Sequence, residues 1–299
     1  MRCPNCWRRL SGGLRLCGVC QPYPCRVLPT AWFRRGGRPR ARSRGRLVLL
    51  AVIALAVIAV GGYRVFRQLY PPIPPSADQV MRDAAATAAR TSASAQFTTQ
   101  VSGLTVMLGT VRERAAPTRL ATLSMTSIDG AERFAVTEVV TRSTVYVSMP
   151  SLTAAFGKPW LGVPVAKLGA YPAMAQLYQT AALPTAEAAL IGTADTERLA
   201  GKATVRGVPV SRYVGSIDPA TAVTALTPEM RELLAPELAS ATGIIGFTAW
   251  IDSQHNIRKV QTSATIGGQL TVTTVVITAL NRVTHIAVPQ SGQVAALSL

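Results

Sequence analysis

An α+β fold is predicted for residues 76–299: a long antiparallel sheet with helices laid on one face, carried behind a single transmembrane helix. Three observations predict it. Apolar and polar residues alternate from Phe97 to Met149 and again from Ile245 to Leu280, the period of a half-buried strand. Helix-opening signals stand at Ser76, Asp218–Pro219 and Thr227–Pro228. Leu47–Tyr63, LVLLAVIALAVIAVGGY, holds no charge and no proline.

The chain has 299 residues and opens on a cysteine-rich stretch, CPNCWRRLSGGLRLCGVC, over residues 3–20. Cys3 and Cys6 form one C-x-x-C pair, and Cys17 and Cys20 form another ten residues on. Each pair can close one edge of a tetrahedral site, and four thiolates leave no open position. Residues 1–25 therefore resemble a small zinc ribbon, in which Cys3, Cys6, Cys17 and Cys20 hold a structural Zn2+. A segment this short gains its folding free energy from the metal. Cys25 is surplus to that set. The alternatives for these residues are free, reduced thiols or a redox pair.

Residues 26–46 are basic and read as a disordered linker. The first 46 residues hold twelve arginines and no Asp, Glu or Lys. They supply most of the formal net charge of +17. Residues 47–66 are the transmembrane helix. Seventeen residues at about 1.5 Å each nearly cross the hydrocarbon layer, and Val65 and Phe66 extend the run. A buried core helix would show a polar stripe, and this segment has none. Arginines beside a span stay inside, so the N-terminus is expected in the cytoplasm and residues 76–299 outside. A cleaved signal peptide would need a 46-residue n-region, beyond the usual length. The basic flank then suits anionic inner-leaflet lipids rather than nucleic acid. All five cysteines precede the span, on the reducing side.

Residues 67–75 end in PPIPP, a stiff proline-rich spacer. Ser76 with Gln79 fits a capping box for a helix whose face is Val80, Met81, Ala84 and Ala88, ended by Ser92–Ser94. Strand faces follow at Phe97/Thr99/Val101, Leu104/Val106/Leu108 and Ala121/Leu123/Met125. Asp129–Gly130 turns a hairpin toward Phe134 and Val136. Val145, Val147 and Met149 form the next strand, stopped by Pro150. Trp160 is expected in a turn-rich loop, GKPWLGVP. Helices are expected around 165–182 and 185–193, anchored by Met174, Leu177, Tyr178, Leu190 and Ile191. Gly201–Lys202 reads as a tight turn before the strand Val208–Ile217. The helix after Thr227–Pro228 buries Met230, Leu233, Leu234 and Leu238 and stops at Gly243. A meander closes the chain through turns at Ser253–Asn256 and Gly267–Gly268. His285–Val288 is a candidate last strand.

The leading helix, the Asp129–Gly130 hairpin, TVYVSMP, RGVPVSRYVGSIDP and FTAWIDSQHNIRKVQ occur in the order and spacing of a known family. Residues 76–289 resemble the actinobacterial LppX/LprG lipoproteins and, more distantly, LolA-like carriers. The resemblance implies a curved sheet, or half-barrel, that clasps helices around an apolar cavity. Its implied occupants are the acyl chains of membrane lipids or lipoglycans. It names no pocket residue, and apolar strand faces are the expected lining. Members commonly carry a lipobox cysteine, whereas this chain has a span, which favours a tethered binder over a shuttle.

No catalytic constellation stands out. Neither His255 nor His285 is read as having a partner carboxylate or cysteine nearby in sequence, and no G-x-S-x-G, H-E-x-x-H or phosphate-binding glycine loop occurs. Asp195 with Glu197, and Glu229 with Glu232, read as solvated charges. The expected function is a membrane-anchored lipid or lipoglycan binder of the cell envelope, not an enzyme. The alternative is a sensor or scaffold that couples the outer domain to a cytosolic protein partner through the zinc ribbon.

Overall fold

The computed structural model describes residues 75–115, 120–282 and 285–296, all within one compact unit, Pro74–Leu299. The zinc-ribbon cysteines Cys3, Cys6, Cys17 and Cys20, the linker 26–46, the span 47–66 and the spacer up to residue 74 lie outside the described residues. Among the described residues no helix is long and apolar enough to cross a membrane.

The unit is α+β, built on a large open curved sheet of twelve strands. The strands are β1 (Ala93–Val101), β2 (Leu104–Arg114), β3 (Leu120–Asp129), β4 (Glu132–Val140), β5 (Thr144–Ser148), β6 (Trp160–Pro164), β7 (Thr196–Val205), β8 (Val208–Ile217), β9 (Ala241–Ile251), β10 (Ile257–Ile266), β11 (Gln269–Leu280) and β12 (Val294–Ala296). Their order across the sheet is β12-β6-β5-β4-β3-β2-β1-β11-β10-β9-β8-β7. Every pair is antiparallel except β12 with β6, so the sheet is mixed. The first and last long strands, β1 and β11, are neighbours and join the two halves of the sheet.

The helices are α1 (Ala77–Ala88), α2 (Pro150–Phe156), α3 (Pro172–Ala181), α4 (Leu183–Ile191), α5 (Pro219–Ala225) and α6 (Pro228–Ser240), with a 3-10 turn at Val165–Ala170. Buried side chains of α1, α4, α5 and α6 join one core with Phe97, Val111, Leu123 and Phe247 of the strands. A small second cluster of Leu120, Val139 and Ile286 is backed by Tyr146 and Trp160, where the C-terminal tail meets the sheet.

Caps start the helices as expected. The Ser76 hydroxyl accepts from the Gln79 N–H, but the Gln79 side chain donates to Asp83, so only half of the capping box forms. Asp218 accepts from the Ala220 N–H at 2.8 Å, and the Thr227 hydroxyl accepts from the Met230 N–H at 3.4 Å. Asp195 is exposed, as expected of a solvated charge, and its carboxylate also accepts the Asp218 N–H at 2.5 Å.

Several sequence expectations are corrected. Leu104 and Leu108 are exposed, and the buried positions of β2 are Val111 and Glu113. Phe97 pairs with Gly109 and Thr99 with Met107, so the odd-numbered residues take the core phase until the register shifts beyond Thr99. Gly109 permits this pairing, since a Cβ there would sit 2.8 Å from the Met125 backbone. The first helix ends at Ala88, and Ser94 is already in β1. Trp160 lies in strand β6, not in a loop, because β5 and β12 pair with it on both sides.

Gly201 marks a register shift inside one long strand, and the turn is Arg206–Gly207, with φ of 49° and 80°. Both residues are in the left-handed region that a two-residue hairpin requires. Gly243 lies within β9, after the helix has ended at Ser240. His285–Val288 forms no strand; Val294–Ala296 does.

The β9–β10 turn is tied by Asp252. Its carboxylate accepts from the Gln254 and Asn256 N–H groups at 2.8 and 3.0 Å and pairs with Arg258 at 2.7 Å. Burial pushes this carboxyl up. The Asn256 N–H, Arg258, the Gln254 N–H and the Asn256 amide outweigh it and hold its pKa below the usual range. Asp252→Ala is expected to cost about 3 kcal/mol, because it strands Arg258 and two turn amides. The Asp252 contribution is present above the ordinary aspartate pKa of about 3.9 and is lost as pH falls through the lowered value. Urea unfolding of the wild type and D252A at pH 7 and pH 3 checks this: the difference should shrink at low pH.

Candidate functional site

Helix α4 is the innermost helix. Pro184, Ala186, Glu187, Ala188, Leu190 and Ile191 are all buried, so it has almost no polar face. Two side-chain bonds fix it to the sheet. Thr185 donates to Glu113 of β2 at 2.6 Å, and Thr262 of β10 donates to Glu187 at 3.2 Å. Strands β1 and β11 lie between those two strands, so α4 is held across the middle of the sheet.

Beside α4 is a pocket of about 520 Å³. Its floor is Thr99, Met107, Ile266, Thr271 and Thr273 of the sheet. Its walls include Leu168 of the 3-10 turn, Ala175 of α3, Ala186 and Leu190 of α4, and Leu234 of α6. The volume is in the range, roughly 300–1,000 Å³, of pockets that enclose small ligands. The expected apolar strand lining is only half right. Three threonines lie on the floor, while the helices supply most of the large apolar groups.

The strand ends next to this floor carry exposed apolar side chains. Leu104, Ile244 and Leu270 are 73%, 65% and 54% exposed. The Ser102 N–H donates to the Leu270 carbonyl at 2.8 Å, which ties the β1–β2 turn to the start of β11.

Four carboxyls in or beside the core escape the sequence reading. Glu138 of β4 is fully buried between its cross-strand neighbours Leu123 and Val147, and neither of its oxygens has a hydrogen-bond partner. Burial alone pushes it up to about 8. Glu187 is also pushed up to about 8, by burial first and then by the nearby Glu237, against the Thr262 bond. Glu237 lines the same pocket and keeps exposed surface, while the protein crowded around its carboxyl raises its pKa. Glu113 accepts from Thr185 and belongs to the support of α4. At neutral pH Glu138 and Glu187 are mostly protonated, so the pocket presents no fixed anion from α4.

A second hollow of about 740 Å³ lies on the other side of α4, among α1, α5 and the start of α6. Arg82, Glu113 and Glu229 line it. Most of that lining comes from helices rather than from the sheet.

No catalytic arrangement is visible among the described residues. His255, in the turn as expected, lies 3.6 Å from Asp83, and His285 is exposed in the tail. Its carbonyl accepts from Arg112. No group of three His, Cys, Asp or Glu side chains that could hold a metal occurs among the described residues.

No family model and no curated protein matches this chain. Among solved structures it is similar to LprF from Mycobacterium bovis, at 14% identity over 71% of this chain and 95% of that one, with a TM-score of 0.45. It is also similar to the Mycobacterium tuberculosis lipoprotein LppX, at 15% identity over 71% of this chain and all of that one, with a TM-score of 0.44. An uncharacterized conserved protein from Thermus thermophilus aligns with 73% of this chain and 98% of its own, at 11% identity and a TM-score of 0.35.

Proposed function

We propose that this chain is a membrane-anchored, extracytoplasmic lipid- or lipoglycan-binding protein that serves cell-envelope lipid transport or assembly. The observation that carries the reading is the pocket between the sheet and helices α3, α4 and α6. Its lining is more apolar than polar, with Gln176, Gln179 and Thr180 of α3 among the polar groups, and its α4 carboxyl is neutralised by its surroundings. An acyl chain gains about 0.8 kcal/mol for each CH2 group it buries there. The exposed Leu104, Ile244 and Leu270 are candidates for contact with a lipid surface.

The N-terminal segments complete the reading. Residues 47–66 anchor the outer unit, the arginines of 26–46 hold the inner leaflet, and Cys3, Cys6, Cys17 and Cys20 bind a structural zinc ion in the cytoplasm. Tethering suits a protein that receives lipid from, or presents it to, the membrane in which it sits.

The reading is tested with the full chain in vesicles that contain a lipid bearing a photoactivatable diazirine in its acyl chain. After irradiation, adducts are mapped by peptide mass spectrometry. Adducts on the peptides of α3, α4 and β11 are expected. Labelling of 47–66 without these peptides would remove the lipid-binding reading.

A further inference from the structure

Among the described residues that line the pocket, one fully buried side-chain oxygen has no hydrogen-bond partner. Glu187 is 6% exposed, and its Oε1 accepts the Thr262 hydroxyl hydrogen bond. Its Oε2 is buried and has no hydrogen-bond partner, although Glu187 lines the pocket. A buried polar atom without a partner costs free energy comparable to a lost hydrogen bond. A ligand that supplies the partner recovers that cost, and a ligand without one does not.

Resting on the lipid-binding reading above, we propose that Glu187 is the polar recognition group of this pocket: its protonated carboxyl donates to an uncharged carbonyl oxygen, of an ester or an amide, that enters with the ligand's acyl chain. The ligand's headgroup chemistry is thereby restricted at this point. A free fatty acid would bring its own negative charge into a pocket that Glu237 also lines. An ester or amide carbonyl offers an acceptor without charge and leaves the Thr262 bond intact.

The charges around the site make Glu187 the group that responds to pH. Glu237 of α6 is the titratable neighbour that acts on it. Helix α3 and strand β11 contain no charged residue. On β10, Arg258 is paired with Asp252, and Lys259 lies over the Trp250 ring, 4.5 Å from its centre. On β2, Glu113 takes the Thr185 hydroxyl, and Arg112 reaches the tail carbonyl of His285. On α1, Arg82 pairs with Asp78, and Asp83 lies beside His255. With the carboxyl titrating near 8, only about a tenth of Glu187 is protonated at pH 9.

The test uses the full chain in vesicles with a long-chain N-acyl amide that carries a diazirine in the chain. Pocket adducts per protein are compared at pH 6 and pH 9. The wild type is expected to lose about tenfold at pH 9, the fraction of competent protein being the limit. Glu187→Gln keeps an uncharged donor and the Thr262 bond, and is expected to label equally at both pH values. Glu237→Gln leaves the Glu187 oxygen in place and is expected to keep the pH response. A pH-independent wild type, or a tenfold loss that persists in E187Q, would overturn the assignment of Glu187 while leaving lipid binding intact. A matched alkyl ammonium probe that labels better at pH 9 than the amide does at pH 6 would also overturn it. Absence of pocket adducts at either pH would overturn the lipid-binding reading itself.

Discussion

Glu138→Gln is expected to abolish one of two large pH effects on the stability of this protein, the other being that of Glu187. Glu138 is buried without a hydrogen bond, and burial raises its pKa from 4.5 to about 8. The folded state therefore holds a proton that the unfolded state releases. The stability from that proton is fully present below the unfolded pKa and is lost as pH rises through the folded one. A rise of this size corresponds to roughly 4–5 kcal/mol of stability lost between pH 4.5 and pH 8 or above. Glutamine has nearly the same shape and no proton to lose. Urea unfolding at pH 5 and pH 8.5 should show the wild type losing several kcal/mol more than E138Q. Parallel behaviour of the two proteins would mean that the Glu138 carboxyl reaches water or a partner.

Replacing Ala175 with tryptophan is expected to reduce lipid occupancy by at least tenfold. Ala175 lies on α3 and lines the pocket without being fully buried. An indole at that position occupies space the acyl chain would otherwise fill. The pocket has room for it, so the overpacking penalty should stay within the usual range of about 1–3 kcal/mol or below. The check is twofold: pocket adducts from the photoactivatable lipid should fall, while the urea midpoint should move little. Unchanged labelling with an unchanged midpoint would place the chain elsewhere.

Much of the architecture is legible in the residues because local signals and burial agree. Val208–Ile217, Ile257–Ile266 and the Asp218 and Thr227 caps lie where alternation and turn chemistry put them. The expectations that fail are those in which a long-range pairing decides. Leu104 and Leu108 look like an inward face by their own alternation, but the pairing of Phe97 with Gly109 sets the opposite phase. Trp160 becomes part of a strand because of β12, more than a hundred residues away in sequence. Gly201 and Gly243 look like breaks and are instead irregularities that strands absorb: Gly201 stays paired with Arg212, and Gly243 falls where the β9–β10 register shifts.

The site was less legible than the fold. A pocket depends on how far α3 and α6 stand off the strands, and no local pattern encodes that distance. The carboxyls did leave a signal. Glu113 keeps the phase of Val111, and Glu138 keeps the phase of Val136 and Val140. Glu187 sits in an otherwise apolar helix, LPTAEAALI. A charged residue in the apolar phase is the mark of a buried group. Reading these glutamates against their neighbours singles out the three carboxyls that the core encloses.

The central claim is that the space beside α4 holds the acyl chain of a lipid. Native mass spectrometry of the full-length protein, purified from membranes and released from detergent, measures this directly. The account predicts one retained lipid per chain in the wild type and none in A175W. Wild-type protein that emerges lipid-free, or an A175W protein that retains the same lipid, would contradict it.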